Sequence, residues 1–428
     1  MADQGHTTPV QSWIAIDIAK DFNAVMLESS NGIERGFRMA NSFTDHNRLV
    51  EFIRSLPQPC RIGFEATENY HRPLGYRLLR EGFDVCLISS VAGARFREAM
   101  FNSWDKNDPK DAEVLLSLLK QGVTQRYVDP FIAGHHDIQE LSKTYYDVTL
   151  ARTRLQHSLL THYLPLYFPE MGKWWHSTRA EWLIEYLLHF PTPASVMACT
   201  LEAFNEIAWP VIGRKVSKTN KLRELYETAR HSIALPIAQD SLAMETYKLQ
   251  LMRYRELNRQ RKQLEERAKA ALCSNPDYVL LQTIPGIGPI NALTILAEAG
   301  DLRRFAHHRQ FLKYCGFDLG KNQSGTMRSR EHLSKRGNAR LRLALWMAGQ
   351  VAVRQRENSF RYKYERYTQA DPGDKDLKRK ALTAVAAKMA RVVYGLIKFQ
   401  RPYEGYFEQA LPSGSIPLCQ AVEAIRTS

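Results

Sequence analysis

Four apolar residues that end on an acid, Trp13-Ile14-Ala15-Ile16-Asp17, constrain this chain more than any other segment. They read as a buried strand with a carboxylate at its end. The pattern returns in Arg61-Ile62-Gly63-Phe64-Glu65. Between the two, Phe22 to Leu27 and Ile33 to Met39 read as strands joined by the hairpin turn Asn31-Gly32. Helical periodicity follows over 44–56, then a helix over 71–81, the strand Phe83 to Ile88, and helices over 90–100 and 109–121. Three meandering strands, a helix, a strand, a helix, a strand and further helices make an RNase H-like order.

The remainder reads as helical. Residues 136–190 are rich in Leu, Tyr, Trp and His. Residues 242–272 hold no Gly or Pro and predict one long charged amphipathic helix, with Leu242, Leu249, Leu257 and Leu264 as its stripe. That stripe fits a helix packed inside one subunit and equally a coiled-coil dimer arm. Asn275-Pro276 breaks the pattern. Helices are expected near 290–299, 337–356 and 376–400, and a loose tail after them. The expected class is therefore α/β plus all-α. It divides into an RNase H-like domain over 1–130, a helical middle over 131–275, a C-terminal helical domain over 276–400 and a tail over 401–428.

The formal net charge of +14 favours a polyanionic partner, and nucleic acid is the commonest for such a chain. Residues 302–342 carry eleven Lys/Arg and two Asp/Glu, a local balance of +9. This segment is the candidate phosphate-facing surface. No apolar run is long enough to span a bilayer, and no secretory signal opens the chain. The six cysteines, at 60, 86, 199, 273, 315 and 419, form no C-x-x-C pair. A cytoplasmic location without zinc ribbon or disulfide framework is expected.

Four acids carry the first chemical signal. Asp17 and Glu65 end strands that are neighbours in an RNase H-like sheet. Asp108 and Asp111 are three residues apart at a helix start, on one face. Carboxylates brought together need cations, and an all-oxygen set suits Mg²⁺. Two such ions stabilise the attacking and leaving oxygens at a phosphate. Taken alone, Asp108-Pro109 and Asp111 also read as a helix N-cap, N1 and N3, and an acid at a strand end is often simply solvated. Asp105 is a fifth acid that can replace one of the four.

Two further motifs lie in the C-terminal part. Pro285-Gly286-Ile287-Gly288 between helical segments is similar to a helix-hairpin-helix, where glycines let the backbone approach a phosphate. An ordinary glycine turn is the alternative. The stretch Lys321-Asn322-Gln323-Ser324-Gly325-Thr326 leads to Leu333-Ser334-Lys335-Arg336-Gly337-Asn338. A serine in such a loop is a turn former or a hydroxyl set against a phosphate. Arg328, Arg330, Lys335, Arg336, Arg340 and Arg342 would offset charge on phosphoryl oxygens. His135-His136 and His307-His308 lack the spaced partners that a metal site needs.

In combination these segments resemble the insertion sequence 110 family of transposases and the related Piv-type DNA invertases. The resemblance rests on WIAIDIAK, GFEATENY, KNDPKDAEVL, TIPGIGPINALTILAEAGD and QSG followed by LSKRGNARLR, across residues 12–121 and 278–350. The middle matches only in character, and the chain is longer than compact members there and at the tail. The resemblance implies a RuvC-like domain with a DEDD carboxylate set at Asp17, Glu65, Asp108 and Asp111. It also implies a C-terminal transposase domain whose catalytic serine maps onto Ser324, with Ser334 second. It further implies a structured guide RNA that pairs with donor and target DNA, and dimers that join into tetramers. The expected activity is RNA-guided cutting and rejoining of DNA. The alternatives are a metal-dependent junction nuclease without a covalent intermediate, and a nucleic-acid-binding protein whose acids are structural.

Overall fold

The computed structural model describes residues 9–101, 108–175, 181–212, 218–320, 323–324, 327–328, 332–355 and 358–404, without the side chains of 108–109, 323–324 and 327–328. The chain divides into two compact units, Met1–His136 and Asp137–Ser428. The tail read over 401–428 lies outside the described residues beyond 404.

The first unit is built on one mixed sheet. Its strands are β1 (Ser12–Asp17), β2 (Phe22–Ser29), β3 (Glu34–Ala40), β4 (Cys60–Glu65), β5 (Asp84–Ile88) and β6 (Gln125–Arg126), and their order is β3-β2-β1-β4-β5-β6. β1, β2 and β3 form an antiparallel meander, while β4 runs parallel to β1 and β5 parallel to β4. This is the RNase H-like order expected from the sequence. The two-residue β6, antiparallel to β5, is an addition too short to show a period.

Alternation along the strands gives each sheet face its own core. Ile14, Ile16, Ile62, Phe64 and Val85 face α1 (Phe43–Ser55) and α2 (His71–Arg80). Ala15, Cys86 and Ile88 face the other way, toward α4 (Asp108–Lys120), whose Val114, Leu115, Leu118 and Leu119 close that core. α3 (Ser90–Phe101) packs Ala92, Phe96 and Phe101 on the same side. Gly63 lets α4 approach, because a Cβ there would lie 2.8 Å from a Leu119 methyl.

The second unit is helical and holds two cores. One gathers Leu155, Phe168, Tyr186, Leu187 and Phe204, among others. The second gathers Leu281, Leu293, Leu345, Met389 and Val393, among others. The helix Leu242–Leu272 contributes to both: Met244, Tyr247, Leu251 and Tyr254 to the first, Ala268 and Leu272 to the second. The expected leucine stripe is thus not the buried one, and Leu242 and Leu249 are 79% and 57% exposed. The tyrosines win because their rings bury more surface and meet partners: Tyr247 stacks on Tyr163 at 5.4 Å and Tyr254 packs on Trp175 at 5.4 Å. The inward face of this helix is filled within one chain.

In the C-terminal part the helices Pro276–Gln282, Pro289–Ala299, Ala339–Ala352 and Lys375–Phe399 surround the second core. Short strands interrupt the basic segment. β7 (Leu319–Gly320) pairs with β10 (His332–Leu333), and β8 (Gln323–Ser324) with β9 (Met327–Arg328), all antiparallel. Among the described residues no helix is long and apolar enough to cross a membrane. The described cysteines, Cys60, Cys86, Cys199, Cys273 and Cys315, are free thiols, and Cys419 lies outside the described residues.

Gly286 adopts a φ of +88°, and a Cβ on it would meet the Ala348 carbonyl oxygen at 2.2 Å. Gly286→Ala is therefore expected to destabilise the protein by about 1 kcal/mol or more. A thermal melt should show the loss, and an unchanged midpoint would mean the turn does not press on the helix Ala339–Ala352.

Candidate active site

The register of β1 against β4 pairs Ile16 with Phe64, so Asp17 and Glu65 occupy the next position on adjacent parallel strands. Adjacent strands lie about 4.8 Å apart. Both side chains fall on the face of Ala15 and Gly63, the face covered by α4. Both residues are half-buried.

α4 brings the third carboxylate to the same end. Lys120, the last residue of α4, pairs with Glu28 at 2.6 Å, and Glu28 sits opposite Trp13 in the sheet. From Lys120 back to Asp111 the helix covers nine rises of 1.5 Å, about 13.5 Å. From Trp13 to Asp17 the strand covers four rises of 3.3 Å, about 13 Å. At its other end Asp111 meets Arg97 of α3, the helix whose Gly93 lies against Glu65, so α4 leads from the acidic end of the sheet toward the Lys120–Glu28 pair. Asp111 also lies on the inward stripe with Val114, Leu115 and Leu118, and is 4% exposed. Asp108 starts the same helix, one turn before Asp111. Its side chain lies outside the described residues, and so does Asp105 altogether.

These acids share one face and one end without forming a closed cage. Among the described residues no three or more His, Cys, Asp or Glu side chains are drawn together as a metal cluster. Asp111 instead meets a cation the sequence did not flag. Arg97 of α3 meets Asp111 Oδ1 through its Nε. Arg97 thus occupies Oδ1, and the buried Oδ2 has no hydrogen-bond partner among the described residues. A buried carboxylate oxygen without a donor fits a hard divalent cation. Asp17 and Glu65 are further oxygen-bearing side chains on the same face of the sheet.

His71 is the buried imidazole closest in sequence to Glu65. Its ring packs on Phe64 and Tyr127, so it belongs to the opposite face of the sheet. Burial lowers its pKa from the ordinary histidine value and keeps it neutral. It is a core histidine rather than a base for the carboxylate site.

The C-terminal motifs separate into exposed and committed groups. Ser324 lies in β8 opposite Met327 of β9. Its side chain and that of Arg328 lie outside the described residues, as does Arg330 altogether. Ser334 accepts from the Arg336 amide at 3.4 Å and its own amide donates to the Asp318 carbonyl at 2.8 Å, which is turn-forming work. Lys335, at a φ of +53°, and Arg336 are exposed. Arg340 pairs with Glu298 at 3.0 Å and lies over the Tyr146 ring. Arg342 donates to the Cys315 and Lys335 carbonyls, both at 3.2 Å. Gly316 leaves room for this clamp, since a Cβ on it would strike the Arg342 guanidinium at 2.2 Å, while Gly337 lets the chain pass the Tyr314 carbonyl, which a Cβ would meet at 2.5 Å.

The helix-hairpin-helix candidate divides likewise. Gly286 is required by its contact with the helix Ala339–Ala352. Gly288 is the N-cap of the helix Pro289–Ala299, with no side-chain cap and open space around it. Only Gly288 leaves a helix N-terminus open to an anion.

Residues 278–365 match the family model described as "Transposase IS116/IS110/IS902 family". Residues 14–169 match the DEDD model of the insertion sequence 110 type, described as "Transposase". The chain belongs to the IS116/IS110/IS902 family of transposases. All four acids fall inside the DEDD match, and a DEDD domain implies a divalent metal. Ser324 and the basic loop fall inside the other.

The chain is 31% identical over 139 residues to the transposase for insertion sequence element IS1111A of Coxiella burnetii, a stretch covering 32% of this chain and 38% of that protein. A Pseudomonas aeruginosa relative, 33% identical over 91 residues, is matched over 21% of this chain and 27% of its own length. The mini-circle IS117 protein of Streptomyces coelicolor is 26% identical over 294 residues, 65% of this chain and 69% of that one. The first two matches thus span well under half of those relatives. A Thermus-type RuvC solved with a Holliday junction, "T. thermophilus RuvC", aligns with 27% of this chain and 99% of its own at 10% identity and a TM-score of 0.20, too slight a likeness to carry an argument.

Within this family's basic loop the geometry separates two kinds of basic residue. Arg342→Met should cost about 1–3 kcal/mol of stability, because it strips the donors from two loop carbonyls. Lys335→Gln or Arg336→Gln should leave the melting temperature unchanged and flatten the salt dependence of nucleic-acid binding by about one unit. Equal behaviour of the three variants would contradict this division.

Proposed function

We propose that this protein is a DNA transposase of the recombinase kind, which cuts and rejoins DNA through Ser324 and a carboxylate-held Mg²⁺. The observation that supports the reading is Asp17 beside Glu65 on adjacent parallel strands, with the buried Asp111 on the helix that covers that face of the RNase H-like sheet. Asp108, one turn from Asp111, completes the set. Mg²⁺ held there would stabilise charge on the oxygens of a scissile phosphate.

The remaining chemistry falls to the chain's own groups. Ser324 Oγ forms a bond to phosphorus while the bond from phosphorus to the leaving sugar oxygen breaks. The hydroxyl proton is lost and the leaving oxygen takes one up, so the step balances. The phosphoserine that results retains the energy of the DNA bond, and rejoining needs no high-energy cofactor. Exposed Lys335 and Arg336, with Arg328 and Arg330, bind phosphates and offset their charge. Arg340 and Arg342 hold the loop that presents them, and Gly288 offers its helix N-terminus to the backbone. The partners are donor and target DNA and a structured guide RNA from the same mobile element. The working assembly is a homodimer that joins into a tetramer.

The test is adduct trapping on the element's own end DNA, with and without RNA transcribed from its flanking non-coding sequence. Wild-type protein with Mg²⁺ should yield a protein–DNA adduct on a denaturing gel. Ser324→Ala should abolish it with DNA binding retained, Ser334→Ala should only weaken it, and chelation should remove all cleavage. An adduct from Ser324→Ala but not from Ser334→Ala would move the nucleophile to Ser334. Metal-dependent cleavage without any adduct would make the protein a hydrolytic junction nuclease. Binding without cleavage would leave the acids structural.

A further inference from the structure

One turn of α3 bears on two of the four carboxylates. A Cβ built on Gly93 would lie 3.4 Å from Glu65 Oε2, so the helix backbone runs close over that acid. Arg97 is the next residue along the same helix face, and it is the one that meets Asp111. Only 18% of the Arg97 side chain is exposed, and 5% of that of Asp111.

The pairing fills one side of the carboxylate. Arg97 Nε meets Asp111 Oδ1, while Asp111 Oδ2 is buried with no hydrogen-bond partner among the described residues. Elsewhere in this unit, ion pairs such as Lys120 with Glu28 and Arg61 with Asp84 make well-formed hydrogen bonds at the surface. A buried pair that leaves one carboxylate oxygen unfilled is poorly stabilised. A guanidinium does not lose its proton in a protein, so Arg97 can release Asp111 only by moving. Its long side chain gives it the freedom to do so.

We infer that Arg97 is the resident counter-cation of Asp111 in the metal-free chain, and that a divalent cation binds by displacing it. Arg97 is thus a positioning residue that sets metal affinity, and it keeps an uncompensated buried carboxylate from opening the first unit before metal arrives. The inference rests on the metal reading above.

The experiment titrates the full chain with Mn²⁺ alone, reading free Mn²⁺ by its electron paramagnetic resonance, and follows melting temperature in chelator and in Mn²⁺. Arg97→Met keeps the volume and removes the charge. It should bind Mn²⁺ about tenfold more tightly than wild type, melt lower in chelator, and recover in Mn²⁺. Arg97→Gln should do the same, and guards against a packing defect peculiar to methionine. Mn²⁺ affinity in both variants equal to or below that of wild type overturns the inference while the metal site stands. Failure of both variants to fold even in Mn²⁺ also overturns it, since the arginine would then be a requirement of the fold. If neither wild type nor variants bind Mn²⁺, and Asp111→Asn melts as wild type does, the metal reading itself falls.

Discussion

The parallel register of β1 on β4 is the constraint on which the first unit depends. It sets Asp17 beside Glu65, and strand alternation sends both to the face that α4 covers. A slip of one residue would turn Ile14 and Ile16 out of their core and carry Asp17 into it. The core thus enforces the register, and the register assembles the acids. α4, tied at Lys120 to Glu28, holds Asp111 against Arg97 of α3, the helix whose Gly93 lies over Glu65.

In the second unit, charge is divided between work inside the protein and work outside it. The basic segment owes much of its balance to arginines that hold the loop together, Arg342 on two carbonyls and Arg340 on Glu298. A cation committed to protein acceptors has less to offer a phosphate. The exposed Lys335 and Arg336 sit on the turn that these arginines brace, with Lys335 in the left-handed region. The local charge therefore overstates the number of cations facing solvent.

Much of the first unit was legible because its signals are local. Strand alternation, the Asn31-Gly32 turn and helical periodicity placed five strands and four helices within a few residues of those found. Asp17, Glu65 and Asp111 could be named since each ends a strand or starts a helix. Arg97 could not, because nothing about a lone arginine in α3 tells that its partner lies 14 residues on in another helix. The leucine stripe of the helix Leu242–Leu272 misled for a related reason: burial followed the aromatic partners brought in by distant helices. Gly286 looked like a phosphate-binding glycine, and only the approach of the helix Ala339–Ala352 explains it. Local pattern reports elements, while pairing between elements must be seen.

The helix Leu242–Leu272 carries a further consequence. It is a single rod of 31 residues, about 46 Å long at 1.5 Å per residue. One half is a wall of one core and the other half a wall of the next. Losing either core bares one end of a rod whose other end lines the second. A strain introduced beside Tyr247 has a continuous helical backbone along which to reach Leu272. The two packing centres thus share one spine.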